Sequence, residues 1–184
     1  MDALLAALEV QVAVGQRVEP SQLTLASPCP GWSVRDVLSH SLAVTTKFTD
    51  FAAGRTDRPR TPVGDLVGPD HRAALRTVAT AATAAWRTTD LGRVCHLPFG
   101  TFGAADAAGI NAFDVLGHTW DLAEATGQRV TCPDELWAAG LDAARLVIGP
   151  NRDLTHYAAE VPATGDATPM ARFLAYLGRN PAQP

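Results

Sequence analysis

The sequence predicts an all-α fold, a helical bundle with short extra helices, from three observations. Apolar residues recur at helical spacing through several long stretches. Prolines fall between those stretches, where they break helices. Runs with the period-two alternation of a strand are few. At 184 residues and 47% hydrophobic, the chain suffices for one substantial core and is short for two, so a single domain over 1–184 is expected.

The elements follow in order. Residues 2 to about 14 set Leu4, Leu5, Leu8 and Val12 on a helical period, with Asp2 as a candidate cap and Gly15 near the end. Val18 to Trp32, broken by Pro20, Pro28, Pro30 and Gly31, reads as a structured loop with at most a short turn. Ser33 offers an N-cap whose N3 residue, Asp36, completes a capping box with Asp in place of Glu. The second helix runs from there to about Ala53, and Gly54 suits its C′ position. Its buried stripe is Val34, Val37, Leu38, Ser41, Val44, Thr45 and Phe48, and His40 sits at the edge of that stripe, pointing inward.

Residues 55 to 68, rich in Pro, Gly and Arg, read as a mobile connector bordering the site. A third helix is expected from near Asp70 to about Thr89, burying Leu75, Val78, Ala82 and Trp86; His71 at its start reads as a surface residue, as does His156. Gly92 to Gly103 reads as extended chain and turn. The fourth helix spans about Ala104 to Ala125, with Ile110, Phe113, Gly117 and Trp120 on one face and Gly127 beyond its end. The fifth starts with Pro133 at N1 and runs to about Ile148. A loop with Tyr157 and Pro162 leads to a last short helix, about Ala167 to Leu177, ended by Gly178.

Composition narrows the partners. The net charge of −4, the pI near 5.7 and the scattered Arg residues leave no basic footprint for nucleic acid. No apolar run approaches the roughly 20 residues of a membrane span, and Met1-Asp2-Ala3-Leu4 lacks the positive start of a signal peptide, so a cytoplasmic protein acting on a small molecule, as monomer or homodimer, is expected. Cys29, Cys95 and Cys132 form no Cys-x-x-Cys pair and read as small packed residues.

The chemistry-bearing feature is Asp114-Val115-Leu116-Gly117-His118. A carboxylate and an imidazole four residues apart share one helix face, with Cβ atoms roughly 5–6 Å apart. Asp114 lies beside Ile110 and Gly117, half buried and in need of a partner that a metal would supply. His40 from a facing helix is the candidate third ligand. Two imidazoles and a carboxylate suit Zn²⁺ first, and also Ni²⁺, Co²⁺, Mn²⁺ or Fe²⁺.

Three blocks carry a family resemblance. Pro28-Cys29-Pro30-Gly31-Trp32-Ser33-Val34-Arg35-Asp36-Val37-Leu38-Ser39-His40 resembles the loop and second helix of the DinB-like superfamily, in its actinobacterial branch related to mycothiol-dependent maleylpyruvate isomerase. Phe99-Gly100-Thr101, leading to Asp114 through Ala123 and then Ala125-Thr126-Gly127, is similar to that branch's fourth-helix motif. Leu177-Gly178-Arg179-Asn180-Pro181 resembles its terminus. The resemblance implies a four-helix bundle of up-down-down-up connectivity, with a divalent metal on His40, Asp114 and His118 and mycothiol as a possible cofactor. It implies a metal-dependent enzyme performing thiol S-transfer or isomerisation. The alternatives are a metal-assisted hydrolase, lyase or cyclase, and a non-catalytic metal or ligand-binding protein.

Further site candidates are weaker. Asp121, one turn beyond His118, either orients a ligand or bonds a nearby loop. Asn111, one turn before Asp114, is a candidate substrate contact or a bundle-lining polar residue. His96 and Arg93 precede the fourth helix and reach either the pocket mouth or solvent, and Tyr157 is a further proton-transfer candidate.

Overall fold

The computed structural model describes residues 1–55, 65–97, 100–149, 152–155 and 157–180. Four long helices, α1 (Asp2–Gly15), α2 (Val34–Ala52), α3 (His71–Arg87) and α4 (Ala104–Ala125), make the bundle. Their directions follow from which ends share a core. Leu4 and Leu8 of α1, Phe48 and Phe51 of α2, Ala82 and Trp86 of α3, and Ala104 and Ala108 of α4 belong to one apolar cluster. Val14 of α1, Val34 and Val37 of α2, Leu75 of α3 and Leu122 of α4 belong to a second. Hence α1 and α4 run one way and α2 and α3 the other, the up-down-down-up arrangement, whose parallel α2–α3 pair requires a long crossing connection. Most of that connector, residues 56–64, lies outside the described residues, as does His156.

Between α3 and α4 the chain forms an antiparallel hairpin, β1 (Val94–Leu97) and β2 (Gly100–Gly103), with Val94 opposite Gly103 and Leu97 opposite Gly100. Cys95 and Leu97 alternate inward and cover the bundle end. Helix α5 (Asp134–Ile148) packs on α4, and α6 (Pro169–Tyr176) packs on α5. Among the described residues no helix is long and apolar enough to cross a membrane.

Several expectations shift in detail. Pro133 is the N-cap of α5 rather than its first residue, and α1 is capped at Met1 without a side-chain bond from Asp2. Pro20–Thr24 winds into a 3-10 helix. His71 is buried rather than exposed: its Nε2 lies 3.0 Å from the Val18 carbonyl oxygen. Asp70 caps α3 through the Ala73 amide, so the first turn faces the C-terminal end of α1, where carbonyls need donors.

The start of α2 sets the site. Ser33 Oγ accepts the Asp36 amide, while Asp36 Oδ2 accepts the Ser33 N–H at 2.8 Å and its hydroxyl at 2.6 Å. These bonds hold the Asp36 carboxyl below its ordinary 3.8, the Ser33 hydroxyl contributing most. A depressed carboxylate contributes stability that is complete above pH 3.8 and is lost as pH falls through the folded value. Ser33→Ala is therefore expected to flatten the acid limb of a stability-versus-pH curve from chemical denaturation. An unchanged acid limb would remove this role.

Gly178, at φ +77°, lets the chain turn after α6 against the preceding loop. A Cβ there would lie 2.5 Å from Ala158 Cβ and 2.7 Å from the Ala159 oxygen. Backbone strain and overpacking together predict a cost of roughly 2–4 kcal/mol for Gly178→Ala, read from the urea midpoint.

Candidate metal centre

Antiparallel packing of α2 on α4 brings His40 opposite Asp114 and His118. His40 Nε2 lies 3.5 Å and His118 Nε2 3.7 Å from Asp114 Oδ1, and the two imidazole centroids are 4.8 Å apart. The three donor atoms lie within 4.8 Å of one another. Donors about 2.0–2.1 Å from a tetrahedral ion would be about 3.4 Å apart, so small side-chain adjustments suffice to close the cage. Asp114 Oδ2 is buried with no hydrogen-bond partner. A buried carboxylate oxygen left so is costly unless a cation takes it.

Electrostatics agree with a cation site. Burial opposes charge on Asp114, yet His118 and His40 beside it bring its pKa below the ordinary carboxylate value. Burial likewise opposes charge on His40, and the Asp114 carboxylate prevails, raising the imidazole pKa. The cage thus sets an ionised carboxylate between two imidazoles.

Behind His118 stands Asp121, fully buried. Its Oδ2 lies 2.9 Å from His118 Nδ1, and Arg179 grips both oxygens, Nε donating to Oδ1 at 2.7 Å and Nη2 to Oδ2 at 2.6 Å. Burial works against this carboxylate, but Arg179 and His118 hold its pKa far below the usual range. An ionised Asp121 only accepts, so Nδ1 carries a proton toward it and Nε2, which faces Asp114 and His40, is the nitrogen a metal would take. Of the two readings of Asp121, the geometry is that of an acceptor orienting His118.

Cys29 completes this arrangement, its Sγ 3.2 Å from Asp121 Oδ2 and 4.0 Å from His118 Nδ1. Burial, with Asp121 adding to it, pushes the thiol up to about 12, so it donates to Asp121 and is no thiolate. Cys29, His118 and Asp121 also converge closely enough to ligate. Arg179 Nη2, 3.9 Å from the sulfur, already supplies the cation there, which favours a hydrogen-bonded relay over a second metal position.

The cage opens into a cavity of about 650 Å³ whose wall includes Trp32, Phe113, Tyr157 and Leu177. Trp32 comes from the loop ahead of α2, which folds back through the Ser27 N–H to Trp32 O bond of 2.9 Å. Its ring centroid is 5.0 Å from that of His40 and 6.1 Å from that of His118. Tyr157 faces the same space, its phenol pushed up by burial first and by the Asp114 charge second.

The other candidates lie elsewhere. Asn111 is wholly buried and outside the cavity wall, with neither amide atom hydrogen-bonded. His96 is exposed and pairs across the hairpin with Thr101 Oγ1 at 3.0 Å. Arg93 Nη1 donates to the Ala52 oxygen at 2.8 Å, closing the end of α2. Arg179 was not among the sequence-predicted site residues. The available signal was Asp121 itself: a carboxylate on the buried face of α4 needs a counter-cation.

Residues 4–123 match the family model described as mycothiol maleylpyruvate isomerase N-terminal domain. Two relatives from Mycobacterium tuberculosis, of strains CDC 1551 / Oshkosh and H37Rv and both described as uncharacterized proteins, are each 30% identical over 184 residues, 97% of this chain and 98% of theirs. No solved structure matches significantly. The helical bundle and the span of the family match establish that the chain belongs to the mycothiol maleylpyruvate isomerase N-terminal domain family, within the DinB-like superfamily.

Proposed function

We propose that the protein is a metal-dependent enzyme acting on a small organic molecule in the α2–α4 cavity, with thiol S-transfer or a thiol-assisted isomerisation as its reaction. The observation that carries it is the convergence of His40, Asp114 and His118, whose donor atoms lie within 4.8 Å of one another beside a cavity of about 650 Å³, with the second Asp114 oxygen buried and unpartnered. These three residues would hold a divalent ion, zinc by donor preference. The ion, when bound, supplies Lewis acidity that lowers the pKa of a thiol or water.

Charge balance favours an anionic sulfur or oxygen donor. With neutral imidazoles, the carboxylates Asp114 and Asp121, the Arg179 guanidinium and a divalent ion leave one net positive charge. One anionic group neutralises it. Trp32 and Phe113 exclude water from one side of that group, and the Tyr157 hydroxyl, kept protonated by its surroundings, is the proton donor available to a reacting molecule in the cavity. The family's thiol is mycothiol, and the cavity's mixed apolar and polar wall suits a thiol carrying a larger body.

The test of the site is stoichiometry. Zn²⁺ titrated against a chromophoric chelator is expected to reach about one ion per chain and to raise the thermal midpoint, because the ion binds the folded chain. Binding well below one, with no thermal shift, would overturn the reading.

A further inference from the structure

We propose that Arg179, carried by the tail beyond α6, is a positioning residue of the metal centre: it fixes Asp121, and through Asp121 the His118 imidazole, in the ligating orientation. The inference rests on the metal reading above and extends it to a segment outside the matched residues 4–123.

The geometry is specific to a guanidinium. Two parallel bonds, 2.7 Å to Oδ1 and 2.6 Å to Oδ2, allow the Asp121 carboxylate one plane and one rotation about its side chain. In that plane Oδ2 meets His118 Nδ1 at 2.9 Å and Cys29 Sγ at 3.2 Å. A lysine ammonium would act as a point charge and leave the carboxylate free to turn. Asp121 is fully buried and the Arg179 side chain is 18% exposed, so water is a poor substitute for the lost partner.

The fold clears a path for this one side chain. The Arg179 amide donates to the Leu174 oxygen at 2.9 Å and the Gly178 amide to the Ala175 oxygen at 2.9 Å, ending α6 in a turn that swings Arg179 back over α4. Gly117 lies beneath it: a Cβ there would come 3.1 Å from Leu177 Cδ1 and 3.8 Å from Arg179 Nη2. Gly178 supplies the positive φ of the turn in a space that admits no side chain. Gly117 on α4 thus leaves room for the docked tail, and Gly178 for the turn that delivers it. Metal binding and tail docking should therefore be linked, each favouring the other.

The test uses full-length wild type, Arg179→Met, Arg179→Lys, Asp121→Asn and the Asp121→Asn/Arg179→Met double variant. Zn²⁺ affinity comes from chelator competition, and the His118 tautomer of the metal-free protein from ¹⁵N NMR. Arg179→Met is expected to weaken Zn²⁺ about 10- to 100-fold, the usual effect of losing an outer partner of a ligand, and to mix imidazole tautomers that are Nδ1–H in wild type. Arg179→Lys should recover part of both. In the Asp121→Asn background, Arg179→Met should add little further loss. Unchanged affinity and tautomer in Arg179→Met, even with reduced thermal stability, would overturn the proposal; so would losses that simply add in the double variant. If Arg179→Met does not fold, Arg179→Lys decides, wild-type affinity and tautomer overturning the proposal. Wild type that binds no Zn²⁺ would instead overturn the metal reading, while the tautomer readout still reports whether Arg179 fixes His118.

Discussion

Replacing His118 by Ala is expected to abolish stoichiometric metal binding while leaving the helical circular dichroism essentially that of wild type. Loss of an outer partner already costs about 10- to 100-fold in affinity, so removing a direct ligand should exceed that. The helices do not depend on the site. On α4, Val115, Leu116 and Leu122 are wholly buried in the apolar clusters, and on α2 Val34, Val37 and Leu38 are too. His40→Ala and Asp114→Ala should lose metal as well. Asp114→Ala has a second signature: in the metal-free protein it removes the carboxylate that raises the His40 pKa against burial, so the His40 imidazole should titrate lower by NMR. Equal metal content in wild type and all three variants would remove the site assignment.

Local chemistry made much of this fold legible. The Ser33–Asp36 capping box, the Gly54 and Gly178 turns and the bounds of α4 each depend on residues a few positions apart, which a single sequence displays directly. The i, i+4 pair Asp114 and His118 was visible for the same reason. Long-range partners were not. Arg179 and Asp121 are separated by 58 positions, and nothing in the tail's spacing reports which buried acid it meets. His71, at the start of α3, read as a surface residue; its burial depends on where the chain goes after α1, through the Val18 carbonyl. Asn111 shares a helix face with Asp114 but is wholly buried outside the cavity wall, a depth that helical phase alone does not give. Cys29 read as a small packed residue, and its bond to Asp121 required the folded loop.

Millimolar mycothiol, or a related low-molecular-weight thiol, is expected to produce a sulfur-to-metal charge-transfer band in the Co²⁺-substituted protein and to be consumed faster with an electrophilic alkene when the protein is loaded. The charge balance sets this expectation: an ion held by one carboxylate and two imidazoles, with Asp121 already neutralised by Arg179, retains a net positive charge that a thiolate would cancel. Cys29, its thiol pushed up to about 12 by burial and directed at Asp121, is not placed to be that thiolate. Tyr157→Phe separates binding from turnover. It should leave the charge-transfer band in place, because the phenol is no ligand, and lower turnover by about 10²-fold or more if its hydroxyl delivers the proton. Should the Co²⁺ protein show no such band yet convert a substrate that contains no thiol, the thiol mechanism would be wrong, and water or a substrate oxygen would take the same position in the cavity.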